Sequence, residues 1–85
     1  MIYDMILTVH QRAEVLERVL RVIRHRGFKV MSMNMQVHEN ETSMVNVVVE
    51  SERAITLLSN QLDKLIDVLD CQALPSQTEN KLARV

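Results

Sequence analysis

The side chains that most often carry catalysis or bind metals are few in this chain and lie far apart in sequence. Its histidines are His10, His25 and His38. None of them has a second ligand at the spacing of a metal site. Cys71 falls inside a predicted strand with no neighbouring base or cation that would make it a nucleophile. Asp67 and Asp70 fall on opposite faces of that strand, so they do not form an acid–base pair. The pattern predicts no catalytic residues and no metal site.

Basic residues are concentrated in one stretch, and such clusters can bind nucleic acid. They are Arg18, Arg21, Arg24, Arg26 and Lys29. RNA-binding domains with a similar fold stack bases on aromatic strand residues, whereas the matching predicted strand here offers Val45, Val47 and Val49. The net charge of the chain is −1. We therefore expect a solvated helix face or a charged rim for a protein partner, and no nucleic-acid binding.

The chain has 85 residues, of which 47% are hydrophobic, and this is enough for one small domain. The core of such a domain is marginal, so oligomerisation or a partner is expected. One cysteine cannot form an internal disulfide and suits a reducing compartment. No apolar run approaches the ~20 residues that cross a bilayer, and no signal peptide is apparent. These features predict a cytoplasmic protein without membrane contact.

The elements that position these side chains begin with a strand and an amphipathic helix. Residues 2–9 alternate, so that Tyr3, Met5, Leu7 and Val9 share one face. The helix carries an apolar stripe at helical spacing: Val15, Leu16, Val19, Leu20, Val22 and Ile23. Gly27, the single glycine, follows the helix at the position where a left-handed residue often ends one.

The next two strands are predicted over residues 28–38 and 43–50, joined by a polar hairpin loop of about four or five residues. The apolar spacing of the first of these strands slips. Phe28 and Val30 point one way, and the apolar residues from Met31 onward point the other way. A β-bulge would restore a single phase, because one extra residue re-aims every later side chain. Without a bulge, both faces of the strand are apolar.

A second helix is expected over residues 52–64 with Ser51 as its N-cap, and a last strand over residues 66–74. The order strand, helix, strand, strand, helix, strand predicts an α+β, ferredoxin-like fold. In this fold, a four-stranded antiparallel sheet carries two helices on one face. We expect residues 1–74 to form the domain and residues 75–85 to form a polar, flexible tail.

Two helices cover only one face of such a sheet, so the other face meets water or a partner. The strands carry more apolar side chains than the core requires, and methionine is common on adaptable binding surfaces. We therefore predict a partner interface that includes Met31, Met33, Met35 and Val48. The alternative is that the methionines fill a core that is short of aromatic residues.

Two stretches carry a resemblance to a known family: VLERVLRVIRHRGFKVMSMNM and QLDKLIDVLD. Their most specific positions are Leu16, Arg18, Val19, Arg26, Gly27, Phe28, Gln61, Leu62, Lys64, Leu65, Asp67 and Val68. The chain resembles the small regulatory subunits of acetolactate synthase (acetohydroxyacid synthase) from its first strand to about Leu74. Those subunits carry the ACT domain, which has the fold predicted above. Typical members continue into a second domain, and this chain resembles the short type.

The resemblance implies a function that needs no chemistry in this chain. Such subunits bind and activate a large catalytic subunit that uses thiamine diphosphate, magnesium and FAD. The large subunit condenses two pyruvates, or pyruvate with 2-oxobutanoate, in branched-chain amino acid biosynthesis. The chain itself is expected to hold no cofactor and to form a homodimer through its ACT domain. The alternatives are a free-standing ACT-type amino-acid sensor and a small enzyme on the same fold.

Members of the family that sense valine hold it where the first strand meets the first helix, against the second strand of a paired domain. Their pattern has Asn, Gly and Asn at the positions that align with Gln11, Glu14 and Lys29, and all three differ here. Glu14 would place a negative charge at a helix N-terminus, which otherwise favours the carboxylate of a ligand. The resemblance therefore implies a degenerate effector site and a subunit that is insensitive to valine.

Overall fold

A computed structural model of the chain describes residues 1–75. Its elements are β1 (Ile2–His10), α1 (Val15–His25), β2 (Lys29–Val37), β3 (Thr42–Glu50), α2 (Ile55–Asp63) and β4 (Val68–Pro75). The strands form one antiparallel sheet in the order β2-β3-β1-β4, so each helix links two strands that a third strand separates. The predicted ferredoxin-like fold is confirmed. Pro75 ends β4, and the rest of the predicted tail, residues 76–85, lies outside the described residues.

The core lies between the sheet and the two helices. Alternate residues of the central strands are buried there: Met5, Leu7, Val9, Val45, Val47 and Val49. Helix α1 adds Val15, Val19 and Ile23 to the same cluster, and α2 adds Leu58 and Leu62. The strand alternation and the helical stripe read from the sequence therefore describe the same apolar cluster, which both helices share.

The face of the sheet that points away from both helices is called the open face below. Successive side chains of a strand alternate between faces, and directly paired residues share a face. The open face therefore carries the residues of β1 and β3 that lie between the buried ones: Ile2, Asp4, Ile6, Thr8, Met44, Asn46, Val48 and Glu50. Asp70, Gln72 and Leu74 of β4 pair with Thr8, Ile6 and Asp4, so they belong to the same face.

Strand β2 contains the β-bulge that the slipped apolar spacing allowed. Val30 pairs with Val49 and Ser32 pairs with Val48, which leaves Met31 as the extra residue. The bulge therefore moves each later side chain of β2 to the other face of the sheet. As a result, the apolar residues after the bulge point to the same, helix-facing side as Val30 before it. The loop from β2 to β3 contains residues 38–41, which agrees with the predicted loop length.

Gly27 ends α1 in a left-handed conformation, with a φ of +83°. Its N–H donates to the Arg24 carbonyl at 3.1 Å, and the Phe28 N–H donates to the Ile23 carbonyl at 3.1 Å. These two bonds make a Schellman motif, which often includes an apolar contact across the helix end. Phe28 and Ile23 both belong to the buried core. The predicted stop at glycine therefore also directs the chain into β2.

The connection from β3 to α2 differs from the sequence prediction. Helix α2 begins at Ile55 with Ala54 at its N-cap, so the expected N-cap role of Ser51 is wrong. The Ser51 hydroxyl instead accepts a bond from the Arg53 N–H and donates one to the Gly27 carbonyl, both at 3.0 Å. Serine bonds to local turns as well as to helix ends. Here it joins the start of the connection to the end of α1.

Replacing Gly27 with alanine is expected to lower the free energy of unfolding by about 1–2 kcal/mol, because a side chain strains left-handed backbone by roughly that amount. The added Cβ would also lie 2.7 Å from Arg53 Nε, so the arginine side chain would have to move. Gly27→Asn is the matched variant, since asparagine tolerates this conformation better. Urea unfolding of the three proteins tests the prediction, and equal stability of Gly27→Ala and the wild type would contradict it.

Candidate functional site

A groove of about 320 Å³ opens where the end of β1 meets the start of α1, next to the adjoining ends of β2 and β3. Its walls include Val9, Leu16, Met35 and Val37, and the β1–α1 loop forms a polar rim. This is the place where the sequence resemblance implies an effector. The groove is large enough for an amino acid, so its polar groups decide what it can hold.

The side chain of Gln11 is bound to the hairpin between β2 and β3. Its Nε2 donates to the carbonyl oxygens of His38 at 2.8 Å and Thr42 at 2.7 Å. Its backbone N–H donates to the Glu41 carbonyl at 3.0 Å. The two side-chain bonds use both hydrogens of the amide group. Gln11 therefore fastens the β1–α1 loop to the hairpin and has no amide hydrogen left for a ligand.

Glu14 and Lys29, the other two predicted effector positions, lie at opposite ends of the molecule. Glu14 precedes α1 at its N-cap position and makes no capping side-chain bond, so its charge lies at the positive end of the helix. Lys29 begins β2 and pairs with Glu50, at the end of the sheet away from the groove. The rise of a strand places it about 26 Å from Val37. A single protomer brings together only Gln11 and Glu14.

An ionic contact that the sequence patterns missed holds the β1–α1 loop from the other side. Asp67, in the connection between α2 and β4, is buried, and its carboxylate lies 3.2 Å from Arg12 Nε and 3.8 Å from Arg18 Nη1. Its backbone carbonyl accepts a bond from the His10 N–H at 2.9 Å. A buried carboxylate requires such partners, because desolvation disfavours a lone charge. The one sign of this contact in the sequence is an aspartate that interrupts an apolar run.

The bulge divides the four predicted interface residues between different surfaces. Met33 and Met35 pair with buried residues of β3, so their side chains point to the helix side of the sheet. Met33 packs against the core, whereas Met35 is 45% exposed beside the groove. Val48 points to the open face, and Met31 is the bulged residue itself. A contact between any of these residues and a partner stays a prediction.

Cys71 points from β4 towards the core and is half-buried. Burial, with smaller contributions from the carboxylates of Asp63 and Asp70, raises the pKa of its thiol from 9.0 to about 11. Residues 1–75 contain no cluster of three metal-ligating side chains, and neither helix among them is long and apolar enough to span a membrane. The described part of the chain thus offers a groove and surfaces for contact.

Comparison with known proteins identifies the family. Residues 11–71 match the model of the ACT domain. Over 72 residues the chain is 44% identical to the acetolactate synthase isozyme 2 small subunit of Escherichia coli K12, an alignment that covers 84% of this chain and 83% of that protein. The chain belongs to the ACT-domain small subunits of acetolactate synthase. Its identity to the isozyme 2 small subunit of Shigella flexneri is also 44%, with the same coverage. The family resemblance read from the sequence is therefore confirmed.

Solved structures confirm the ACT fold. The acetolactate synthase small subunit of Thermotoga maritima superimposes on 93% of this chain with a TM-score of 0.78 and 21% identity, and the match covers 50% of that protein. The ACT domain of a Chlorobium tepidum GTP pyrophosphokinase superimposes on 86% of this chain with a TM-score of 0.73 and 12% identity, and the match covers 96% of that domain. Because the identities are only 21% and 12%, these two matches establish the fold of the chain and nothing further.

Alkylation of Cys71 tests the environment of the thiol. Because the thiolate is the reactive form, the rate in the native protein is expected to rise with a midpoint near pH 11, and in denaturant with a midpoint near pH 9.0. Iodoacetamide labelling followed by mass spectrometry, from about pH 7 to about pH 10.5, measures both curves on the same single cysteine. If the alkylation rate of the native protein reaches its plateau at the same pH as the rate in denaturant, the raised pKa of Cys71 is contradicted.

Proposed function

We propose that this chain is the regulatory subunit of an acetolactate synthase, and that it activates a separate large catalytic subunit by binding to it. The observation that carries the proposal is the 44% identity to isozyme 2 small subunits over 84% of the chain. The chemistry of the described residues fits a role without catalysis. The buried carboxylate of Asp67 is engaged by two arginines, and the Cys71 thiol is kept protonated.

In this proposal, the large subunit condenses two pyruvates, or pyruvate with 2-oxobutanoate, and holds thiamine diphosphate, magnesium and FAD. No cofactor is assigned to the small subunit. Residues 1–74 act as the ACT domain. The proposed location is the cytoplasm, where branched-chain amino acid biosynthesis would take place.

A homodimer is the second part of the proposal. Strand β2 lies at the edge of the sheet and contains no proline, and its helix-side residues Met35 and Val37 are 45% and 66% exposed. Unpaired edges of this kind readily pair with another chain. The other edge strand, β4, ends in Pro75, which cannot donate a backbone hydrogen bond. Two β2 strands that pair would give a continuous eight-stranded sheet and cover the exposed side chains.

Such a dimer would also reunite the predicted effector positions. Antiparallel pairing of two β2 strands about their common centre, Met33, would place the partner's Lys29 beside Val37. Val37 lines the groove in which Gln11 is bound. The positions that one protomer separates would then meet across the dimer interface.

Insensitivity to valine is the third part. Both amide hydrogens of Gln11 are used by the hairpin, so they cannot bind a ligand. Glu14 brings a negative charge to the helix end at which a ligand carboxylate would bind. Lys29 of the second protomer would attract a carboxylate, but two of the three positions oppose an amino-acid ligand. The proposed regulation is therefore activation by contact, without feedback by valine.

Adding the chain to its cognate large subunit is expected to increase the rate of acetolactate formation, and valine is expected to leave that increase intact. Isothermal titration of valine into the chain alone should give no binding in the sub-millimolar range. An increase that valine reverses would keep the regulatory role and overturn the interpretation of Gln11 and Glu14. If the chain gives no increase in rate, the free-standing amino-acid sensor is favoured. A thermal-shift screen against the twenty amino acids would then identify the ligand of that sensor.

Charged side chains on the β2 edge are expected to weaken self-association. The double variant Met35→Lys/Val37→Lys should shift sedimentation equilibrium towards the monomer, because lysines disfavour pairing at an exposed edge. The control is Leu57→Lys/Leu69→Lys, which adds the same charge at exposed apolar positions outside β2. Equal association of the two double variants would contradict dimerisation through β2.

A further inference from the structure

We infer that the open face of the sheet docks the large catalytic subunit, through a surface of that subunit that presents aliphatic and basic side chains. The inference rests on the proposed function, which supplies the partner, and it names the surface that the partner contacts. Neither of the two helices in residues 1–75 covers this face, because both pack on the other side of the sheet.

An apolar strip crosses the centre of the open face. Ile2, Val48, Ile6 and Met44 follow one another diagonally across β1 and β3, at separations that allow side-chain contact. They point away from the core, so the burial of the core does not require them. Most residues of the flanking strands that border the strip are polar, with Leu74 as an apolar exception: Ser32, Asn34, Gln36, Asp70 and Gln72. An apolar centre within a polar rim is typical of a protein–protein interface.

A shallow depression of about 210 Å³ lies within this strip, with Asp4, Ile6, Asn46 and Val48 in its lining. Its two aliphatic walls fit the methylene stem of a lysine or arginine side chain. The amide oxygen of Asn46 is a hydrogen-bond acceptor for the cationic group at the end of such a side chain. The depression therefore favours a basic residue of the partner.

The two sides of the domain carry opposite charge. Asp4, Glu50 and Asp70 lie on the open face, together with Lys29, which pairs with Glu50. Arginines are concentrated on α1 and on the connections at its helix side: Arg18, Arg21, Arg24, Arg26 and Arg53. A basic partner surface is therefore attracted more strongly to the open face than to the helix side, where the arginines lie.

The open face of one protomer is too small to make a standard interface with the open face of a second copy. Four strands of eight or nine residues make a face of about 570 Å² at ordinary strand spacings. A standard interface buries about 800 Å² on each partner. The face of one protomer falls short of that area, whereas the continuous face of a β2-paired dimer, about 1,100 Å², exceeds it. The large subunit thus docks on the dimer more stably than on a monomer.

A matched pair of charge reversals tests the docking surface. Asp70→Lys reverses a charge on the open face, and Glu17→Lys makes the same change on an exposed position of α1. Surface plasmon resonance with the cognate large subunit is expected to show at least about tenfold weaker binding for Asp70→Lys and little change for Glu17→Lys. The affinity of the wild type should also fall as salt is raised.

A second pair tests the apolar strip. Val48→Gln is expected to weaken binding by a similar factor, whereas Leu57→Gln, on the helix side, is expected to leave it unchanged. Circular dichroism and thermal unfolding check that each variant is folded, and Asp70→Asn replaces Asp70→Lys if the reversal prevents folding. Failure of the wild type to bind would overturn the proposed function. Wild-type binding that only the helix-side variants weaken, or that no variant weakens, would overturn the open face as the docking surface.

Discussion

The central strands β1 and β3 bury alternate side chains beneath two helices, and the other features of the molecule depend on this one-sided burial. Seven strand residues, five helix residues and Phe28 form the core, and Phe28 is the one aromatic residue among them. Each buried aliphatic side chain contributes about 1.5–3 kcal/mol of transfer free energy. Because the side chains of β1 and β3 alternate strictly, the residues of these strands that form the core also determine which of their residues face away from it. The surface proposed for the large subunit is therefore a direct consequence of the packing of the core.

The bulge at Met31 changes which methionines face the helices. Without the extra residue, Met33 and Met35 would have joined Val48 on the open face and would have extended its apolar strip to the edge of the sheet. With it, they line the helix side, where Met33 packs on the core and Met35 borders the groove. One inserted residue thus assigns these side chains to the edge at which a second copy is proposed, and leaves the open face with a compact apolar centre.

The β1–α1 loop is held from two sides by contacts of different kinds. Gln11 binds the hairpin through neutral hydrogen bonds, while Arg12 binds Asp67 in the connection before β4. A loop fixed in this way keeps the groove shaped without any ligand in it. Gln11, one of the three predicted effector positions, is thus used to join the loop to the hairpin. This use of the loop agrees with the proposed activation by contact, without feedback by valine.

The order of the elements, the core and the family could all be predicted from the amino-acid sequence. Alternation in β1, the stripe of α1 and the stop at Gly27 are local patterns whose spacing follows from the geometry of one strand or one helix. The register of β2 against β3, the true start of α2 after Ser51 and the later start of β4 at Val68 depended on tertiary structure. These features depend on contacts with neighbouring strands and on bonds to the end of α1. The residues that make those contacts lie far away in the chain. For the same reason the sequence could name Gln11 and Glu14 as predicted effector positions but could not show that Gln11 is bound to the hairpin, or that Arg12 and Arg18 lie beside Asp67. Such contacts join segments that only folding brings together.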